Sequence, residues 1–179
     1  SSRYVVVDKG MGEKSQTKIP VNILRYMPII PRLQHLFMVE ETARQMTWHK
    51  LGKRTELDAD GEPMLVHTSD GFAWKRFDAI HHAKVADPRH PRIAVSTDGF
   101  NVFGMMAAQY SCWPVFVIPL NLPPGQIMQR KNIFLTLIIP GPNYPGKSMN
   151  VYMQPLKDEL QEAWDNGIKT YDAATKKTS

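Results

Sequence analysis

The run Arg92-Ile93-Ala94-Val95-Ser96-Thr97-Asp98-Gly99-Phe100-Asn101 delivers one carboxylate to the end of an apolar, strand-like stretch and then turns on a glycine. A carboxylate placed there can hold a divalent metal at a sheet edge, which makes Asp98 the first candidate for chemistry, both as a catalytic residue and as a metal ligand. It stands alone. Two-metal phosphoryl transfer needs several convergent oxygen ligands, because hard cations such as Mg²⁺ are held by multiple carboxylates, waters and substrate oxygens. Asp-Gly after a strand is also an ordinary turn pair, and Ser96 and Asn101 serve as supporting polar groups or as turn caps equally well. Asp158, Glu159 and Glu162 share faces of a downstream helix, 158 with 162 and 159 with 162. Acids in the opening turns of a helix are expected from its macrodipole, so they read as solvated rather than as partners of Asp98.

Other chemistries fit less well. Ser111-Cys112-Trp113 superficially resembles the nucleophile segment of papain-like proteases, but Pro114 and the β-branched run after it predict a strand, and no histidine follows His90 to act as the base. Cys112 reads as a small buried apolar residue. His81, His82 and His90 with Asp78 and Asp87 lack the Cys-x-x-Cys or His-x(3–5)-His spacing of a zinc site. Trp48, Trp74, Trp113 and Trp164 are more economically core packing than a base-stacking platform.

The elements that must position Asp98 follow from the pattern of apolar residues. Three β-rich runs at 92–97, 113–119 and 133–139 are separated by turn-forming segments, which predicts an antiparallel meander with the third strand buried on both faces. A helix is expected to open near Pro155, with Tyr152, Leu156, Leu160 and Trp164 at spacings of four and Asn166-Gly167 as its stop. Thr170-Tyr171 opens a possible fourth strand. Strand, strand, strand, helix, strand is the opening order of an RNase H-like fold. Upstream, Leu36, Val39, Ala43 and Met46 predict one helix over 32–50, and Ser69 or Asp70 caps another through about residue 82, with Trp74, Phe77 and His81 on one face and Asp87-Pro88 as the stop. Residues 1–20, polar and carrying Gly10 and Gly12, read as a tail or loop.

The chain has 179 residues, 42% of them hydrophobic, enough for a real core. Its net charge of +5 is uneven: residues 1–54 hold ten Lys and Arg against four acids. That excess suits a polyanion, since cations that neutralise phosphates gain affinity by counterion release, and it also suits a plain solvated face. Arg25, Arg32, Lys50, Lys53 and Arg54 are the candidate nucleic-acid contacts. A single cysteine excludes an internal disulfide framework, and no apolar run approaches the ~20 residues of a membrane span, so an intracellular protein with no membrane partner is expected.

Seven collinear segments carry a family resemblance: Leu24-Arg25-Tyr26-Met27-Pro28-Ile29-Ile30-Pro31-Arg32-Leu33-Gln34-His35-Leu36-Phe37, Met46-Thr47-Trp48-His49, Asp70-Gly71-Phe72-Ala73-Trp74-Lys75-Arg76-Phe77-Asp78, Ser96-Thr97-Asp98-Gly99-Phe100-Asn101, Tyr110-Ser111-Cys112-Trp113-Pro114-Val115, Asn121-Leu122-Pro123-Pro124, and 134–142. Together they resemble the transposase encoded by plant CACTA (En/Spm class) DNA transposons, in order from about residue 18 to 172. The resemblance implies an RNase H-like domain that cuts and rejoins DNA with Mg²⁺ held by an acidic triad whose first member corresponds to Asp98. It implies DNA as partner, nuclear localisation, a Cys-x-x-Cys segment before Ser2-Arg3-Tyr4 and a second catalytic Asp after Thr170-Tyr171-Asp172. Phe72 and Val102 stand where the family usually has Glu and Pro.

The expected organisation is therefore a tail or loop over 1–20, a basic helical region over 21–88 and a partial RNase H-like catalytic domain over 89–179. The chain reads as an internal piece or a decayed element, inactive alone and without a tightly held metal. The alternative is a non-catalytic DNA- or protein-binding module that joins full-length transposase or itself.

Overall fold

Three apolar runs do pair, and everything else is arranged around them. The computed structural model describes residues 4–8, 16–52, 55–101, 111–142 and 144–178. In chain order the elements are β1 (Tyr4–Asp8), β2 (Gln16–Pro20), β3 (Arg25–Tyr26), α1 (Ile30–Met38), α2 (Glu40–Gln45), α3 (Trp48–Leu51), α4 (Phe72–Ile80), β4 (Ile93–Thr97), β5 (Phe100–Asn101), β6 (Ser111–Pro119), β7 (Phe134–Ile139), α5 (Met149–Asn166), β8 (Tyr171–Asp172) and β9 (Lys177–Thr178). The main sheet has the order β3-β7-β6-β4, with β5 also on β6, and every pairing is antiparallel. The fold is mixed α/β on an antiparallel sheet.

Period-two alternation sets the faces of that sheet. Val115 and Val117 of β6 and Leu137 and Ile139 of β7 are fully buried, with Val115 opposite Leu137 and Trp113 opposite Ile139. They join Ile29, Leu33, Leu36 and Phe37 of the α1 segment, Ala43, Met46 and Leu156 of α5 in one core. Burying each Leu or Val side chain contributes about 1.5–3 kcal/mol. The core thus draws on residues before and after position 88 alike.

Several expected boundaries shift. The helix expected over 32–50 is three pieces, broken at Thr47 (φ −101°, ψ 1°) and at Val39, which takes an extended conformation (φ −103°, ψ 121°) and stays exposed. Thr42 Oγ1 donates to the Leu36 or Val39 carbonyl at that break, at 2.6 and 3.1 Å, satisfying groups the interruption frees. The helix after Ser69 is a short 3-10 turn over Thr68–Asp70 followed by α4, which stops at Ile80, close to the expected end near residue 82 and before Asp87-Pro88 is reached. α5 opens at Met149, and Pro155 lies inside it. The proline is tolerated because the carbonyl it leaves unbonded belongs to Val151, an exposed residue that water can reach. Residues 4–8 and 16–20 form a hairpin instead of a loop, with Val5 opposite Ile19. Among the described residues Tyr171–Asp172 pairs with Lys177–Thr178 alone and packs beside α1, where Ala173 N donates to Phe37 O at 2.9 Å, apart from the main sheet.

Candidate functional site

Asp98 leaves the sheet immediately after β4. Strand β4 is held to β6 with Thr97 opposite Val115, and its approach is fixed by Asn121, a fully buried side chain that accepts from Arg92 N at 2.6 Å and donates to His90 O at 3.0 Å. Arg92 itself pairs with Asp78 and lies over the rings of Trp74 and Phe77, at 4.8 and 4.3 Å from their centres. The strand is anchored hard at its start. At its end Asp98 is exposed, and one carboxylate oxygen accepts from Gly99 N at 2.8 Å. That bond closes a local turn and leaves acceptor capacity toward solvent.

The residues that could complete a metal site lie elsewhere. No group of three or more His, Cys, Asp or Glu able to hold a metal exists among the described residues. Asp98 can supply one ligand to a hard cation, but the described side chains do not make the multi-oxygen cage that two ions require. Ser96 is exposed on β4 and Asn101 faces Ser111 across β5 and β6.

The helix acids are differently placed from the sequence expectation. Because α5 opens at Met149, Asp158, Glu159 and Glu162 sit beyond its second turn, where the macrodipole gives acids no advantage. Asp158 accepts from Gln154 at 2.6 Å and is exposed, as is Glu162. Glu159 is turned inward. Its carboxylate accepts from Ile29 N at 3.0 Å, from Ile30 N at 2.9 Å and from the Tyr26 hydroxyl. The first two are orphan donors at the N-terminus of α1, a segment whose own residues provide no side-chain cap. Burial, together with the hydrogen bond and charge of Glu159, pushes the Tyr26 phenol well above its usual range. Asp172, near the end of the chain, is also buried and anchored. It accepts from Ala174 N at 2.8 Å and faces Arg89 at 3.7 Å.

Of the candidate nucleic-acid contacts, Arg25 is exposed on β3. Arg32 donates to Leu135 O at 2.7 Å, and Lys50 donates to Val85 O and Ala86 O, both at 3.0 Å, so both tie elements together as well as carrying charge. Lys53 and Arg54 lie outside the described residues. Cys112 is buried in β6.

Histidines that the sequence left without a role turn out to position loops. His67 accepts from Ser69 N at 3.0 Å through Nδ1 and meets Leu122 O at 3.0 Å through Nε2, while Asp70 accepts from Val66 N and His67 N. The His-x-x-Asp spacing, a capping box with histidine in the serine position, is the signal that could have revealed it. His49 packs against Trp74, and burial, then the nearby Arg92 charge, lowers its pKa to about 4. His90 is lowered for the same two reasons.

A cleft of about 560 Å³ opens at the start of β4, between α1, α4 and the end of α5, lined by Phe37, Arg89, Ile93, Leu160, Trp164 and Asp172 among others. Asp98 lies at the other end of the strand. No helix among the described residues is long and apolar enough to cross a membrane.

No curated protein and no solved structure matches the chain. Residues 60–179, more than half of its length and including β4, Asp98, β6, β7 and α5, match the transposase family tnp2. A match over that share of the chain shows that it belongs to the transposase family tnp2.

Proposed function

We propose that this chain carries the opening of an RNase H-like catalytic domain of a CACTA-type DNA transposase, and that Asp98 is the one carboxylate it brings to a Mg²⁺-dependent site for DNA cleavage and strand transfer. The observation that carries this reading is the position of Asp98, at the exposed tip of the first strand of a β4-β6-β7 meander that is followed by a long helix. One anionic ligand does not position two ions at the ~3.5–4 Å separation that clamps attacking and leaving oxygens, so the chain alone has no cleavage activity. Its DNA affinity is sequence-independent and resides mainly in the basic first half, with nuclear residence as part of the same reading.

Two measurements test it. Duplex binding by the full chain should weaken steeply between about 50 and 200 mM salt, and an affinity flat over that range overturns the phosphate-contact account. A nicking assay with Mg²⁺ or Mn²⁺ should show no cleavage by the chain or by Asp98→Ala. Cleavage by the parent that the substitution abolishes would place the missing ligands within these residues.

A second reading, a module that joins full-length transposase or another copy of itself, is favoured by β4. It is the last strand of the main sheet, paired to β6 on one side and to no other strand among the described residues, an edge open to strand pairing. Concentration-dependent sedimentation would distinguish it.

A further inference from the structure

Beside Asp98 lies an aromatic pair whose packing leaves one ring largely uncovered. Trp113 of β6 rests on Gly99, so closely that a Cβ at that glycine would stand 2.5 Å from the indole. Tyr144, on the connection between β7 and α5, meets Trp113 edge to face with ring centres 4.9 Å apart and planes at 62°. Trp113 is held from below by the core, and its Nε1 is buried without a hydrogen-bond partner. Tyr144 is 67% exposed, and Phe100, two residues beyond Asp98, is 52% exposed.

A tyrosine this exposed adds little to folding, yet it is fixed in place by a ring that touches the residue following the candidate catalytic carboxylate. Fixed, solvent-facing aromatic rings are what an unpaired nucleobase stacks on, because every base presents a π face. Lys147, exposed three residues further along the same connection, carries the charge that a neighbouring phosphate requires.

We propose that Tyr144, backed by Trp113, is a stacking platform for one unpaired nucleobase next to Asp98, so that DNA is held there with its strands locally separated. This rests on the proposed role of Asp98 in DNA cleavage. A base inside a duplex has both faces covered by its stacked neighbours and one in a blunt terminal pair still has one face covered and its edge held, so the platform selects frayed or single-stranded ends over blunt duplex.

The test uses the full chain and two DNAs at low salt: a blunt 20-base-pair duplex, and the same duplex with a short single-stranded overhang carrying 2-aminopurine. Anisotropy should show tighter binding of the overhang, and 2-aminopurine emission should fall on binding. Tyr144→Ala should lose roughly 5- to 100-fold in affinity for the overhang, together with the emission change, and leave blunt-duplex affinity within about two-fold. Tyr144→Phe should retain both, since the ring and not the hydroxyl stacks. Equal loss on both DNAs, or none on either, overturns the platform, with thermal unfolding of each variant checking that it folds. Mn²⁺ stimulation of binding, lost in Asp98→Asn, reports the Asp98 reading separately. If that holds while Tyr144→Ala has no overhang-specific effect, the platform alone is wrong. An overhang-specific loss without any Asp98-dependent metal effect leaves the platform standing and removes the Asp98 reading, and absence of all DNA binding overturns both.

Discussion

Two carboxylates of this chain, Glu159 where α5 meets α1 and Asp98 at the tip of β4, are used in opposite ways. Glu159 takes three donors from a segment roughly 130 residues away and holds the entry of α1 against the sheet. Asp98 takes one, from the next residue, and faces water. The difference teaches how to separate structural from chemical acids in a chain like this one. An acid whose acceptor sites are filled by backbone donors holds the fold, and one that leaves acceptor capacity at an exposed strand end is available to a ligand. Burial follows the same division, since Glu159 is half-buried and Asp98 exposed.

The comparison breaks most easily at Glu159. Replacing it with alanine leaves Ile29 N, Ile30 N and the Tyr26 hydroxyl without their acceptor, and charge-assisted bonds to backbone donors are the stronger kind. Glu159→Ala is expected to lower unfolding stability by about 3 kcal/mol in urea titration, with Glu159→Gln costing about half as much. A loss under about 0.5 kcal/mol would mean that α1 is held by apolar packing alone.

The β4 tip is sensitive at a different residue. A methyl group at Gly99 would stand 2.5–2.8 Å from three atoms of the Trp113 ring, which must then shift within a packed sheet. Gly99→Ala is expected to cost about 2 kcal/mol and to change the tryptophan emission, although its neighbour Asp98 contributes almost nothing to stability. Unchanged emission would show that Trp113 is free to move aside.

Acid sensitivity sharpens the contrast further, because it separates imidazoles from carboxylates. His49 has a folded-state pKa of about 4, set first by burial and then by Arg92. Its unfolded-state value near 6.5 is higher, so between the two the unfolded chain binds more protons and stability falls as pH falls from about 6.5 toward 4. Partial exposure of the ring holds the loss to about 1 kcal/mol. The urea midpoint should decline over this window in the parent and in Glu159→Ala alike, and His49→Asn should make the decline shallower, the remainder belonging to His90, whose pKa is lowered by the same causes. A slope undiminished in His49→Asn would assign the effect elsewhere.

How much of this was legible in the sequence depends on the range of the interactions. The three strands were, because β-branched and aromatic runs such as Trp113 to Pro119 carry their own signal, and the turn at Asp98-Gly99 closes within two residues. β3 was not, since Arg25-Tyr26 is a strand only because Ile138 and Leu137 lie opposite it. Pro155 misled the start of α5, as proline favours a first turn but is tolerated later when the freed carbonyl reaches water. The same long range hid Glu159 and Asp172: their partners in α1 and at Arg89 are remote in sequence, and local rules point to neither contact. The tip of β4 could be read locally, whereas the junction that supports α1 required the fold.

The smallest effect is expected at Asp98 itself. Removing its carboxylate frees Gly99 N from a local hydrogen bond, but the turn is exposed and water can replace that acceptor, so no desolvated donor is left behind. Neither β4 nor its pairing to β6 involves the side chain, because Thr97 and Val115 end the register before it. Asp98→Ala should therefore change unfolding stability by less than about 0.5 kcal/mol, the range of surface substitutions, and leave the far-ultraviolet circular dichroism as it is. An acid kept for chemistry predicts this neutrality, and a turn-forming acid predicts a measurable loss. A cost near that of Glu159→Ala would place Asp98 among the structural carboxylates and take away the basis for giving it a metal.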